Sequence, residues 1–347
     1  MNFSFKPLHE QVIVITGASS GIGLATARAA AKEGAKLVLI SRNDDVLAHT
    51  VQEITNRGGE AIHVAADVGQ REELQSAADA AINRFGRIDT WVNNAGVSIF
   101  GRIEEVSDED NQRLFQTNFW GTVYGSLVAL THLKRHGGAL INLGSVVSDQ
   151  PVPLQGMYSA SKHAVKGFTD ALRMELLEEK APVSVTLIKP AAIDTPYPQH
   201  ARNYLSQEPK LPPPVYAAEE VAHGILFAAT HAKRDIYIGG GGKGMSVMGR
   251  LAPHVMDQIG SKMLSKQQTR NEPPRDPAGA LHRAGHDGQV SGDHPGHVMR
   301  TSLYTRSSLH PALSAALVAG AGALTLVLMK RNSNGGFSRP SRRRVVM

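Results

Sequence analysis

Two side chains four residues apart, Tyr158 and Lys162, are candidates for acid–base chemistry. The sequence around them favours a helix, and the i, i+4 spacing places both side chains on one helix face. A phenol has a pKa of about 10 in water, so it exchanges protons near neutral pH only where positive charge stabilises the phenolate. A Tyr-Lys pair at this spacing is also common on protein surfaces, so its interpretation depends on the residues that accompany it.

A glycine-rich turn runs from Thr16 to Gly23, between a β-branched run and an Ala-rich helical run. Glycine permits a tight turn and a close backbone approach, and the free N–H groups at a helix N-terminus attract phosphate. The turn could be an ordinary strand-to-helix connection. Its context favours a dinucleotide site, whose predicted contacts are Gly17, Ser19, Ser20, Gly21, Ile22 and Gly23.

The end of the second predicted strand bears on the choice of dinucleotide. NAD sites often place an acidic residue there for the ribose 2′-hydroxyl, whereas NADP sites place an arginine near the 2′-phosphate. Here the strand ends in Ser41 and Arg42. NADP(H) is therefore the favoured cofactor, and NAD(H), with Asp44 or Asp45 reaching the ribose, is the alternative.

Further polar residues accompany the tyrosine and lysine in a fixed order. Asn93-Asn94-Ala95-Gly96 ends the fourth predicted strand, Asn118 lies in the following helix, and Ser145 ends the fifth predicted strand. With the glycine turn, this set resembles the short-chain dehydrogenase/reductase family over about residues 10–240. The family shows TGxxxGxG, then NNAG, then an Asn, Ser, Tyr, Lys tetrad in this order.

The resemblance implies a role for each member of the tetrad. Tyr158 would protonate the carbonyl oxygen during reduction or deprotonate the alcohol during oxidation. Lys162 would lower the pKa of that phenol and hold the nicotinamide ribose hydroxyls. Ser145 would orient the reacting oxygen, and Asn118 would hold a water that connects Lys162 to solvent.

The resemblance also implies further cofactor contacts, with one departure from the family pattern. The contacts expected along the rest of the cofactor are Asp67, Val68, Asn94, Ala95, Gly96, Pro190, Ile193 and Thr195. Where the family usually has Pro-Gly after the sixth strand, this chain has Pro190 followed by Ala191. The added Cβ restricts φ and narrows the space beside the nicotinamide.

A parallel sheet would bring these positions together. From residue 12 to about 240, short β-branched runs alternate with helical runs, the pattern of βαβ units. Strands are predicted near residues 12–16, 36–40, 61–65, 88–93, 139–145, 183–189 and 235–238. We therefore expect an α/β, Rossmann-type doubly wound parallel sheet of about seven strands, with helices on both faces, in a catalytic domain of residues 1–242.

Composition and charge exclude several classes of function. The chain has 347 residues and no cysteine, which rules out disulfides, thiolate metal sites and a thiol nucleophile. The net charge of +6 arises in the tail, since residues 261–347 hold 13 Lys+Arg against 4 Asp+Glu. The catalytic domain therefore has no basic stripe for a nucleic acid, and its scattered histidines predict no metal site.

The chain changes character beyond the catalytic domain. Residues 243–265 space methionines and aliphatic residues as one helical face, which we interpret as ordinary packing, with a substrate lid or membrane-surface contact as the alternative. Residues 266–308 have the composition of a disordered linker. Residues 309–329 could span a membrane or form a docked helix, and residues 330–347 form a basic tail.

The whole sequence predicts an NADP(H)-dependent oxidoreductase that transfers hydride between nicotinamide and a carbonyl or alcohol carbon of a small molecule. No secretory signal is evident, so the catalytic domain is expected in the cytoplasm, with residues 309–329 as a candidate anchor. Membrane insertion would favour a lipophilic substrate, and the resemblance implies a homodimer or homotetramer. The alternative is a catalytically silent NADP(H)-binding regulator or scaffold, localised by its tail.

Overall fold

A seven-stranded parallel sheet forms the centre of the protein in a computed structural model, which describes residues 3–285, 287–311 and 314. Its strands are β1 (Val12–Thr16), β2 (Lys36–Ser41), β3 (Ala61–Ala65), β4 (Thr90–Asn93), β5 (Gly138–Leu143), β6 (Val183–Pro190) and β7 (Asp235–Ile238). The spatial order is β7-β6-β5-β4-β1-β2-β3. The strand order reverses between β1 and β4, and in such sheets ligands bind outside the carboxyl ends at that point. The predicted fold class is confirmed.

Helices connect the strands and cover the sheet. They are α1 (Gly21–Lys32), α2 (Asp44–Asn56), α3 (Arg71–Phe85), α4 (Asp108–Phe115), α5 (Gly121–His136), α6 (Gly156–Glu178), α7 (Tyr197–His200), α8 (Ala218–Thr230), α9 (Gly240–Leu251), α10 (Pro253–Ile259), α11 (Ser265–Gln267) and α12 (Leu303–Leu309). Because both sheet faces are covered, the central strands are continuous buried runs, as in the fully buried β1 and β6.

Short elements complete the structure around the sheet. Single 3₁₀ turns lie at Leu8–Glu10 and Val146–Ser148, and π-helical turns at Gln116–Trp120 and Gly260–Leu264. Two-to-three-residue strands lie outside the main sheet at Ile99–Phe100, Ala192–Asp194, Arg202–Asn203, Val215–Ala217 and Val298–Met299. Two of these elements change the local setting of predicted site residues. Asn118 lies in a π-turn, and Ser145 lies beyond β5, which ends at Leu143.

The segment after residue 266 differs from the disordered linker that its composition favours. Its arginines are paired, since Arg270 and Arg275 lie 2.6 and 2.5 Å from the carboxylate of Asp293. The side chain of Leu281 is fully buried, and Val298–Met299 pairs in parallel with Val215–Ala217. Specific ion pairs and one apolar anchor therefore order a segment whose overall hydrophobicity is low.

The chain divides into two compact units, Met1–Thr305 and Arg306–Met347. The first unit thus includes residues 243–305, which the sequence assigns to separate segments. Within residues 3–285, 287–311 and 314, we find no helix with the length and apolarity that a bilayer crossing requires. Most of the predicted membrane segment 309–329, and all of the basic tail 330–347, lie outside the described residues.

Candidate active site

The first turns of α6 place Tyr158 and Lys162 on one face, as their spacing predicts. The ammonium of Lys162 lies 5.9 Å from the centre of the Tyr158 ring. It donates a hydrogen bond of 2.7 Å to the backbone carbonyl of Leu143, at the end of β5. The helix and the strand end therefore hold the ammonium beside the phenol.

Ser145 supplies a second polar group at the tyrosine hydroxyl. It caps the 3₁₀ turn Val146–Ser148, and its Oγ accepts a hydrogen bond of 3.2 Å from the backbone N–H of Val147. The same hydroxyl hydrogen-bonds the hydroxyl of Tyr158. Ser145 is thus both a backbone cap and a partner of the phenol.

Tyr197, which was not among the predicted site residues, also contacts Tyr158. The two rings meet edge to face with centroids 5.6 Å apart, and the two hydroxyls form a hydrogen bond. The Tyr197 hydroxyl also lies 2.7 Å from Ser98 Oγ and from Gln155 Oε1. Its position in a Pro-rich loop gave only a general sign of an aromatic wall, so its partner could not be inferred.

Burial changes the proton affinity of the tyrosine and the lysine. It raises the pKa of the Tyr158 phenol, while hydrogen bonds from Tyr197 and Ser145 lower that pKa. It lowers the pKa of Lys162 to about 8, because the charged ammonium loses hydration. The ammonium is therefore still charged at neutral pH.

Asn118 lies fully buried behind the tetrad's other members. Its Oδ1 accepts from the backbone N–H of Val97 at 2.8 Å, and its Nδ2 donates to the Val97 carbonyl at 2.9 Å and to Ser161 Oγ at 3.1 Å. The side chain thus joins the loop after β4 to α6. It is not part of the cavity wall.

The glycine turn has the close approaches that its composition indicates. Gly17 has φ +65°, and a Cβ there would lie 2.8 Å from Ala95 Cα. A Cβ on Gly23 would lie 2.0 Å from the Gly17 carbonyl oxygen. Asn94 Nδ2 donates to the carbonyls of Thr16 and Gly17, which fixes the turn against the end of β4. The arrangement leaves a backbone cradle at the N-terminus of α1 that fits a pyrophosphate.

Arginine and aspartate side chains meet at the end of β2 and β3. Arg113, which the sequence did not single out, lies 2.5 Å from the carboxylate of Asp67. Burial and the charge of Arg113 lower the pKa of Arg42, while Asp67 and Asp287 raise it. Asp44, a candidate for the ribose in the NAD(H) alternative, instead lies 3.3 Å from His63.

The departure at Ala191 leaves the backbone relaxed. Among the described residues, the non-glycine positions with positive φ are Leu154 and Lys180, so Ala191 has an ordinary φ. Its N–H donates to the carbonyl of Ile238 at 2.9 Å. A side chain is therefore accommodated at this position without backbone strain.

One cavity of about 610 Å³ connects these features, within the ~300–1,000 Å³ typical of ligand sites. All predicted cofactor residues except Gly23 lie in its wall, as do Ser145, Tyr158 and Lys162. Its other part is mainly apolar, formed by Val146, Val147, Val152, Leu211, Pro212, Pro213, Pro214, Met245, Ile259, Met263 and Leu264. Since four residues of the 243–265 segment line the cavity, ordinary packing does not account for that helical face.

Comparisons with known proteins agree with this geometry. The family described as short chain dehydrogenase matches residues 11–205. The chain belongs to this family. This short-chain dehydrogenase is 47% identical over 320 residues to the uncharacterized oxidoreductase YxnA of Bacillus subtilis, covering 91% of this chain and 90% of that protein.

Two further relatives carry more specific names. An 11-beta-hydroxysteroid dehydrogenase A of Arachis hypogaea is 39% identical over 188 residues, 53% of each chain. A solved alcohol dehydrogenase of Thermococcus sibiricus, complexed with 5-hydroxy-NADP, has a TM-score of 0.57 and 29% identity, covering 66% of this chain and 95% of its own. This short-chain dehydrogenase is thus an NAD(P)-dependent oxidoreductase acting on CH–OH groups.

Proposed function

We propose that this short-chain dehydrogenase is an NADP(H)-dependent oxidoreductase that interconverts a carbonyl and an alcohol on a lipophilic molecule. The observation that carries the proposal is the shared cavity. Tyr158, Lys162 and Ser145 line the same space as the glycine turn and Arg42, with an apolar wall beyond the tyrosine.

The residues of the cavity fit an NADP(H) molecule along its length. The cradle around Gly17 and Ile22 suits the pyrophosphate, and Arg42 suits the 2′-phosphate because a guanidinium binds phosphate with fixed geometry. Asp67 and Val68 would border the adenine, and Ile193 and Thr195 would border the carboxamide. When bound, the nicotinamide ring supplies or accepts the hydride.

The protein's own groups handle the proton and the reacting oxygen. Tyr158 donates its phenolic proton to the carbonyl oxygen in reduction and accepts it back in oxidation, and Ser145 holds that oxygen in place. The Lys162 ammonium stabilises the phenolate. Asn118 acts by holding Val97 and Ser161 in place behind the site, and its side-chain hydrogen bonds to both residues support this role. The predicted role of holding a water is a second role for the same side chain.

The apolar part of the cavity supports the choice of substrate class. Methionine and aliphatic side chains from α9, α10 and the following π-turn face the space beyond Tyr158. Apolar burial contributes about 0.8 kcal/mol per methylene, so such a wall selects extended hydrocarbon. The named hydroxysteroid dehydrogenases among the relatives are consistent with this class.

A series of methyl ketones of increasing chain length tests the proposal. With NADPH as reductant, kcat/KM should rise about fourfold per methylene until the cleft is filled. Met263→Gln, in the cavity wall, should flatten that rise. Met174→Gln is the matched control, because Met174 is exposed on α6 and does not line the cavity.

Two outcomes would count against the proposal. If NADPH binds tightly but no ketone or aldehyde is reduced, the chain is the catalytically silent regulator or scaffold. If short polar ketones are reduced as well as long ones, the apolar wall does not select the substrate. A cytoplasmic location, anchoring through residues 309–329 and a homodimeric or homotetrameric state stay predictions, to be tested by fractionation and by light scattering.

A further inference from the structure

Residues 279–293, which we name the strap, lie against the dinucleotide half of the cavity. Residue 286 is outside the described part. The strap begins 74 residues after the last residue of the family match, which ends at residue 205. It is therefore a feature of this chain's C-terminal region, and the tetrad and glycine turn do not account for it.

At one end, the strap holds the arginine proposed for the 2′-phosphate. Arg42 donates to the backbone carbonyls of Ala280 at 2.6 Å and Leu281 at 3.2 Å. Arg113 Nε donates to the same Leu281 carbonyl at 3.2 Å. A guanidinium has more N–H donors than these two bonds use, so Arg42 retains donors for a ligand.

At the other end, the strap pairs with the glycine turn. The N–H of Gly288 donates to the Ser19 carbonyl at 2.8 Å, and the N–H of Gly21 donates to the Gln289 carbonyl at 2.9 Å. Between these contacts, Asn43 Nδ2 lies 3.2 Å from Asp287 Oδ2. The strap therefore spans from the adenosine end of the site to the pyrophosphate cradle.

Buried contacts anchor the strap to the catalytic unit. The Leu281 side chain is fully buried in a cluster with Val97, Ile99 and Leu114. His282 Nε2 lies 2.7 Å from Asp110 Oδ1, on α4. Contacts within the protein itself therefore fix the position of the strap.

The cavity continues between the strap and the sheet. Ala280, Ala284, Gly285 and Asp287 line it together with the glycine turn, Arg42 and Asp67. We propose that the strap is the outer wall of the cofactor site and positions Arg42 for the 2′-phosphate. This inference rests on the proposed function, and it makes Ala280 and Leu281 positioning residues through their backbone carbonyls.

Two consequences distinguish such a wall from a merely structural segment. The strap crosses the glycine turn, so the dinucleotide leaves only when the strap is displaced, and release is slow. The strap also orients Arg42, so displacement of the strap weakens the binding of NADPH more than the binding of NADH, which lacks the 2′-phosphate. Both quantities are binding measurements that do not depend on turnover.

Leu281→Ala in the full chain removes the anchor that places Ala280 and Leu281 beside Arg42. The ratio of NADH to NADPH dissociation constants, measured by fluorescence titration, should fall about tenfold. Leu133→Ala is the matched control, since Leu133 is equally buried in α5, away from the strap. The control should lower thermal stability and leave the ratio within about twofold of the parent.

A second variant tests the rate at which the dinucleotide is released. Gly288 has φ +91°, with only ordinary contact near its Cβ position, so Gly288→Val strains the strap backbone without a clash. Stopped-flow displacement should show about tenfold faster release of both NADPH and NADH. Gly58→Val is the control, because Gly58 has φ +83° and open space around it.

The possible outcomes are separable. If the strap variants match their controls in affinity ratio and release rate, the strap proposal is overturned. Tighter NADPH binding in either variant would also overturn it, since the strap would then compete with the cofactor. If the unmodified chain binds neither dinucleotide, the proposed function itself fails. If the unmodified chain binds NADPH and reduces ketones but the strap variants match their controls, only the strap proposal fails.

Discussion

The rings of Tyr158 and Tyr197 meet edge to face with centroids 5.6 Å apart, and the two hydroxyls share a hydrogen bond. Burial raises the pKa of the Tyr158 phenol, and this bond acts in the opposite direction by stabilising the phenolate. Tyr197 is itself held by Ser98 and Gln155, so its direction is set by the wall of the cleft. Tyr197 is therefore a positioning residue for the proton transfer.

Removing that hydroxyl with Tyr197→Phe should raise the pKa of Tyr158. A hydrogen bond contributes about 1 kcal/mol, which corresponds to roughly half to one pKa unit. Alcohol oxidation requires the phenolate, so the rise of kcat/KM with pH should move to higher pH by that amount. An unshifted pH profile, with an unchanged KM for the alcohol, would show that Tyr197 has only a structural role.

Burial of the Lys162 ammonium in the active site lowers the free energy of unfolding of the protein. Its pKa of about 8 lies below the ordinary 10.5, so at neutral pH the ammonium is charged in the folded and the unfolded chain. The folded state then bears the full cost of burial, about 3 kcal/mol. The cost declines as pH rises from about 8 to 10.5, because the unfolded chain binds more protons over that range.

Lys162→Met should therefore stabilise the cofactor-free protein at pH 7. The gain should be about 1–2 kcal/mol, after about 1 kcal/mol is subtracted for the lost hydrogen bond to the Leu143 carbonyl. Reductase activity should be lost. Urea unfolding at pH 7 measures the change, and a destabilised variant would mean that the ammonium is not buried at a cost.

A buried ion pair supports the loop that carries Ser145. Lys189, at the end of β6, lies 3.1 Å from Asp149 Oδ2, and both side chains are almost completely buried. Tyr237 and Ser246 donate to the same carboxylate at 2.6 and 3.0 Å. These bonds tie the chain just after the Val146–Ser148 turn to the sheet and to α9.

Asp149→Ala should destabilise the protein by about 3 kcal/mol, because it removes the nearer of the two carboxylates beside the buried Lys189 ammonium and leaves only Asp235, at 3.5 Å. Adding Lys189→Met should recover most of that loss. Thermal unfolding of the two single variants and the double variant gives the coupling. Additive losses in the double variant would contradict a paired, buried interaction.

Much of this architecture could be predicted because its signals are local. The seven strands lie at short β-branched runs between helical runs, and the Tyr158–Lys162 spacing fixes a helix face without tertiary information. The glycine turn predicted that backbone segments approach each other closely, and the structure has such close approaches at Gly17 and Gly23. These features arise from backbone geometry, which short stretches of sequence encode.

The features that could not be predicted depend on contacts between distant parts of the chain. The strap has a polar and Gly-rich composition, yet Leu281 and the Arg270 and Arg275 pairs with Asp293 order it. The contact between Tyr197 on α7 and Tyr158 on α6 joins residues that lie 39 positions apart in the sequence. The composition of such a segment is an average over all its residues, so it does not reveal the single residues that anchor the segment.

The central claim is that hydride and proton transfer take place beside Tyr158, and isotope transfer tests it most directly. NADPH dideuterated at nicotinamide C4 should deliver one deuterium to the carbinol carbon of the product alcohol, detected by mass spectrometry. Tyr158→Phe, with NADPH affinity within about twofold of the parent, should reduce that labelled product by at least about 100-fold. NADPH consumption without label in the alcohol, or full labelled turnover in Tyr158→Phe, would contradict the account.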